Sequence, residues 1–220
     1  MKRVPSVPSV IFVCAANMCR SPYAAAKFSA AIADQTELDL SVDSAGTHAI
    51  AGQQWCSVSV AAGGSQGSTR RIAQHIEYVE LDSFDLILTS GRSQRAAVLQ
   101  YQPRIRAKLY TLPEAALQIG WITQPGGVLD AVSVGVSSKE FDFDVARIPK
   151  LPQSIPGRWD WLVDEMNQWR GFVAPVTNGT DSLDISDPHE GKKEIHLETF
   201  AQIDQVVADL TSGISLVLNR

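Results

Sequence analysis

The chain of 220 residues has little of several things, and each shortage removes a class of function. No stretch reaches the ~18 consecutive apolar residues of a membrane-spanning helix. Basic residues are outnumbered, 19 Lys and Arg against 24 Asp and Glu, for a net charge of −5. A general nucleic-acid binder needs a basic patch, and none is visible. Cysteines number three, Cys14, Cys19 and Cys56. So few, and an odd number, fit a reducing compartment and no disulfide scaffold, so the cytoplasm is the expected location. The four histidines, His48, His75, His189 and His196, show no helical metal-ligand spacing, so no metal or other cofactor is expected. No internal repeat is visible. A basic, proline-broken start runs straight into the first apolar segment, which argues against a secretory signal. What remains, 45% hydrophobic and 20% charged, is ordinary for a globular protein whose core needs no covalent staple.

The informative stretch is residues 10–22, Val-Ile-Phe-Val-Cys-Ala-Ala-Asn-Met-Cys-Arg-Ser-Pro. Its apolar start reads as a buried strand. Ser21 followed by Pro22 reads as a helix N-cap and first helical position. Between them lies a tight loop with a thiol, Cys14, at one end and a guanidinium, Arg20, at the other. Loop amides ahead of a helix N-terminus form an anion cradle, and the helix dipole adds positive charge there. Arg20 offers two parallel donors to a phosphate-like oxyanion. The same field favours thiolate at Cys14, so a nucleophile and an oxyanion site come from one loop. Phosphoryl transfer through a phosphocysteine is the reaction class this suggests.

Along the chain, residues 1–8 read as a flexible tail and 9–220 as one α/β domain. Strands are expected at about 9–13, 38–42, 85–89 and 107–112. Helices are expected at 21–33, 54–62, 92–100, 158–170 and 194–218, with a short helical segment after Gly67. Asp43 to Thr47 reads as a strand end and turn. The alternation predicts a three-layer, four-stranded parallel sheet with helices on both faces and the loop after strand 1 at a ligand-binding edge. Periodicity weakens over about 120–180. The tryptophans Trp159, Trp161 and Trp169 recur at helical spacing and read as a core-facing stripe.

Cys14-Ala-Ala-Asn17-Met-Cys19-Arg20-Ser21-Pro22 resembles the signature of the low-molecular-weight protein-tyrosine phosphatases. Asp43-Ser44-Ala45-Gly46-Thr47 resembles that family's second-strand motif, and Asp184-Ile185-Ser186-Asp187-Pro188 its acid segment. The resemblance implies metal-free hydrolysis of a phosphotyrosine protein or small aryl phosphate, with inorganic phosphate or vanadate as inhibitors. It implies Cys14 as nucleophile, Arg20 as phosphoryl clamp and Asp187 as general acid, with Asp184 and Asp181 as lesser candidates. The amides of Ala15, Ala16, Asn17, Met18, Cys19 and Arg20 complete the cradle. Asn17 holds the loop in a left-handed conformation, Ser21 bonds the Cys14 thiolate, and Ser44 supports the loop. Against the family pattern, Ala16 replaces a glycine, a bracing histidine is missing near Gly67, and His189 and Glu190 stand where aromatics are usual. The segment 120–180 is an insertion the compact family lacks. Two other functions use the same loop: arsenate reduction with an external thiol, and non-catalytic binding of phosphate or a phosphoprotein.

Overall fold

The computed structural model describes residues 7–64, 71–134, 148–172, 183–188 and 191–220. The elements run β1 (Ser9–Cys14), α1 (Arg20–Gln35), β2 (Ser41–Gly46), a single turn α2 (Ser57–Ser59), β3 (Leu86–Thr89), α3 (Arg92–Tyr101), β4 (Leu109–Thr111), α4 (Leu112–Thr123), α5 (Val128–Val134), α6 (Ile155–Gln168) and α7 (Lys193–Leu218). The four strands form one parallel sheet in the order β2-β1-β3-β4.

Alternation along β1 sets the two layers around the sheet. Val10 and Phe12 enter one core with Tyr23 and Phe28 of α1, Ile119 of α4, Trp159 of α6 and Phe200 of α7. Ile11 and Val13 enter the other with Ile76, Leu81, Val98 and Ile105. α7 packs against α1, α4 and α6. Tyr23 stacks on Phe200 at 4.1 Å, and its hydroxyl donates to Asp204 at 3.0 Å. The tryptophans of α6 are buried in the first core, as the helical spacing predicts. So are Val128, Leu129 and Ile148, which lie within the segment 120–180.

Four expectations shift. β2 occupies 41–46, so Asp43 to Gly46 is strand and pairs with Ile11 to Cys14. Ser, Asp and Gly are poor strand formers, and tertiary pairing overrides that preference. The helix expected at 54–62 shrinks to the turn α2, followed by a wider turn Val60–Gly64 in which Gly63 has φ 98°. Ile72 is extended and bridges Gln54, and the chain beyond it makes short 3₁₀ turns at Ile76–Tyr78 and Leu81–Ser83. α4 is a helix that apolar periodicity did not announce. Its start is a capping box: the Thr111 side chain accepts from the Glu114 amide, and Glu114 accepts from the Thr111 amide. Gly67, Asp181, His189 and Glu190 lie outside the described residues.

Candidate active site

Cys14 is the last residue of β1 and is buried. Its neighbours in the sheet keep the chain in place past the strand end. The Thr47 amide donates to Cys14 O at 3.0 Å and the His48 amide to Ala15 O at 2.9 Å. Gly46 ends β2 against this turn. A Cβ there would lie 2.4 Å from Ala15 O and 2.8 Å from the Asn17 amide nitrogen, so only glycine admits the loop.

The loop folds around Asn17, which is wholly buried. Its φ of 54° is the only positive value among the described non-glycine residues. The αL conformation costs Asn less than most residues. Ala16 therefore needs no left-handed backbone, and its methyl group carries no conformational penalty. The Asn17 side chain donates to Ser21 Oγ and Ser44 Oγ, both at 2.9 Å, and accepts from the Gln74 amide at 3.0 Å. Gln74 in turn donates through Nε2 to Asp43 Oδ2 and Ser44 O. The brace thus includes Gln74, a residue the sequence reading passed over. Nothing in the periodicity marks it, because its role rests on a main-chain amide.

α1 starts at Arg20, with Cys19 at the cap position. Ser21 is consequently inside the first turn and is not the N-cap. Its hydroxyl lies 3.1 Å from Cys14 Sγ and 3.2 Å from Ala45 O. Since Ser21 Oγ accepts from Asn17, its own hydrogen is directed to one of those two acceptors. The Asn17 amide donates to Cys14 Sγ at 3.2 Å. The sulfur thus accepts from the Asn17 amide and lies within reach of the Ser21 hydroxyl, at the N-terminus of a 16-residue helix whose first amides have no partner within it.

Arg20 is buried and turned across the loop. One guanidinium nitrogen pairs with Asp187 Oδ2, and the other donates to Ile185 O at 3.4 Å. The segment 183–188 is anchored for this contact. The Ile185 amide donates to Ser90 O at 2.7 Å, at the end of β3. Gln202 of α7 accepts from the Ser186 amide. Asp184 is held at the start of α3, accepting from the Arg92 amide at 2.6 Å and from the Arg92 guanidinium. Hydrogen bonding to Arg92 holds the Asp184 carboxyl below its ordinary range, against some desolvation. Of the three acids considered from the sequence, Asp184 is committed to this anchor and Asp187 reaches the loop.

Cys19 is buried beside Cys56. Burial pushes its thiol up, and the neighbouring Cys56 thiol adds to the rise. Met18 is half-buried, and its carbonyl accepts from the Cys56 amide at 3.0 Å.

Forty-two chains of solved structure match the fold. A low molecular weight phosphotyrosine phosphatase of Vibrio cholerae shares 17% identity over 93% of this chain and 95% of its own, with a TM-score of 0.57. Wzb of Vibrio vulnificus, solved with benzylphosphonate, shares 15% over 94% and 99%, at 0.55. The YwlE arginine phosphatase of Geobacillus stearothermophilus shares 16% over 93% and 91%, at 0.53. At these identities the likeness concerns the fold. No curated protein matches the sequence. Residues 9–118, half of the chain and the part that carries β1, the loop and β2 to β4, match the pattern described as low molecular weight phosphotyrosine protein phosphatase. The chain belongs to the low molecular weight phosphotyrosine protein phosphatase family, whose members are cysteine-based phosphatases.

Proposed function

We propose that this chain hydrolyses a phosphate monoester, a phosphotyrosine protein or a small aryl phosphate, through a phosphocysteine on Cys14. The observation that carries the reading is the pairing of Arg20 with Asp187 over a cysteine that accepts from the Asn17 amide and lies 3.1 Å from the Ser21 hydroxyl. A phosphoryl group in the loop competes with the Asp187 carboxylate for Arg20. Once displaced, Asp187 stands beside the leaving oxygen.

In the first step Cys14 Sγ attacks phosphorus in line with the departing oxygen. The P–O bond breaks, and Asp187, which takes up a proton from solvent once the phosphoryl group has displaced it from Arg20, gives that oxygen its proton. Arg20 and the amides from Ala15 to Arg20 hold the equatorial oxygens as charge spreads over them. In the second step Asp187 takes a proton from water, which attacks phosphorus and expels the Cys14 thiolate. Ser21 donates to that thiolate and improves it as a leaving group. With the proton that Asp187 first takes from solvent and the attacking water, these groups account for every proton and electron pair, so the scheme uses no metal or redox cofactor. Three free cysteines further support a reducing, cytoplasmic setting, and the acidic balance speaks against nucleic acid as substrate. Among the described residues no helix is long and apolar enough to cross a membrane.

The test is turnover of p-nitrophenyl phosphate with parallel trapping of phosphoenzyme. Vanadate-sensitive hydrolysis is expected, abolished in Cys14→Ser and Arg20→Ala. A panel of phosphotyrosine, phosphoarginine and phosphoserine peptides then reads the group presented to the loop. Arsenate reduction requires a thiol relay, and thiol-dependent reduction without phosphate release would replace the phosphatase reading. Tight phosphopeptide binding with neither turnover nor phosphocysteine would leave only a binding role.

A further inference from the structure

The fold places three metal-ligating side chains together outside the catalytic chemistry. Cys19, Cys56 and His196 each offer one ligand atom, and the three atoms lie within 4.8 Å of one another. They come from three elements: the cap of α1, the residue before α2, and the first turn of α7. Spacing along the chain gives no hint of this group, which is why the sequence reading expects no metal site.

The cluster is built and held. The Cys56 amide donates to Met18 O at 3.0 Å, which pins that strand of chain beside Cys19. Ser59 Oγ donates to Cys19 O at 3.2 Å. His196 is buried, edge-on to Phe200 at 6.2 Å, and its Nδ1 lies 3.2 Å from Lys192 O. A carbonyl acceptor on one ring nitrogen fixes the N–H there and leaves the lone pair on the other, the arrangement metal-binding histidines use. Cys19 and His196 are nearly closed from water, while Cys56 is half-exposed and gives access to solvent. Two thiols and an imidazole form a donor set that favours soft and borderline cations over magnesium or calcium.

We infer that Cys19, Cys56 and His196 form a binding site for a zinc-class thiophilic cation that ties the phosphate-binding loop to α7. Zinc takes sulfur at about 2.3 Å and nitrogen at about 2.0–2.1 Å, so its ligands stand roughly 3.4–3.8 Å apart in a tetrahedron. Small side-chain rotations close that gap from the spacing seen here. Binding displaces both thiol protons to solvent, and a water completes the fourth position. Cys19 directly precedes Arg20, so the cation fixes the last residue of the loop without touching Cys14. The site adds structure and regulation to the loop. It supplies no step of hydrolysis.

Binding is read on the full chain carrying Cys14→Ser, which removes the reactive thiol as a competing ligand. The protein is reduced, freed of metal and titrated with Co²⁺, then Zn²⁺. One equivalent of Co²⁺ is expected, with thiolate-to-cobalt absorption in the near ultraviolet that Zn²⁺ bleaches. Adding Cys56→Ser or His196→Gln should weaken affinity by more than about 100-fold, the upper end of what loss of a mere orienting partner costs. Circular dichroism confirms that each variant is folded, and Cys56→Ser, at a half-exposed position, serves if His196→Gln is not. A reduced protein without the thiolate–cobalt band overturns the inference. So does binding that both variants retain.

Discussion

Ser21 and Asp187 define what single residues contribute to this loop. Ser21 follows the Ser-Pro pattern of a helix cap, yet α1 begins one residue earlier and the hydroxyl points inward, 3.1 Å from Cys14 Sγ. Local sequence located the helix start to within a residue. The direction of the hydroxyl depends on Asn17 and on β2, which local sequence does not encode. Loss of a hydrogen bond to a charged group costs about 1.5–3 kcal/mol, or roughly 10- to 100-fold in rate. Ser21→Ala should impose that loss mainly on thiolate departure. Rapid-quench kinetics should therefore show a burst of phenol release and accumulated phosphocysteine. A variant slowed with no burst and no phosphoenzyme would place Ser21 elsewhere in the reaction. Asp187→Asn removes the proton donor and keeps the shape. Turnover of phenyl phosphate should fall by about 10²–10⁴-fold, the span typical of general acid catalysis. The loss should shrink for p-nitrophenyl phosphate, whose leaving group needs less protonation. Equal losses on both esters would separate Asp187 from proton transfer.

At the scale of elements, the segment 183–188 depends on α3 and α7 for its position. Asp184 caps the start of α3 through the Arg92 amide and meets its guanidinium. Because the Asp184–Arg92 pair is solvent-exposed, its loss should matter little for global stability. It should matter for placement: Asp184→Ala should lower kcat severalfold through a less ordered Asp187, with KM for phosphate esters nearly unchanged. An equal fall in stability and activity would instead make Asp184 a folding residue. α4 shows how far elements were legible. β1, β3, α3, α6 and α7 follow from apolar runs and helical spacing. α4 is nearly all apolar or small, so it shows no periodic face, and β4 before it is three residues long. The Thr-Leu-Pro-Glu signal at 111–114 does mark it. Thr111→Ala should cost about 1 kcal/mol in urea unfolding and leave kcat unchanged, since the cap lies in the fold and not in the loop.

For the whole molecule, the parallel sheet and its ligand-bearing edge followed from alternating strands and helices. The contacts that join distant parts did not. Gln74 on Asn17, Asp187 on Arg20 and His196 near Cys19 each join residues far apart in the chain, and a residue pattern carries no record of such meetings. Within α6, Glu165 is a buried carboxyl whose burial comes from tertiary packing and is likewise unmarked in the residue pattern. It accepts from Trp169 Nε1 at 2.6 Å. Burial raises its carboxyl above the ordinary range. The Trp169 hydrogen bond offsets part of the rise, and the Asp164 charge adds to it. A carboxyl raised in the folded state binds its proton more tightly there than in the unfolded chain. Its favourable contribution is complete below the ordinary carboxyl value near pH 4 and is lost as pH climbs through the folded value. Glu165→Gln keeps an oxygen acceptor for Trp169 and removes the titration. The variant's stability relative to the parent should therefore rise from about pH 4 upward and level off once Glu165 is fully ionised in the folded parent. Urea unfolding at intervals from pH 4 to pH 8 reads the difference directly. A difference that is flat across this range, or that falls with pH, would mean that the native core leaves the Glu165 carboxyl at or below its ordinary range.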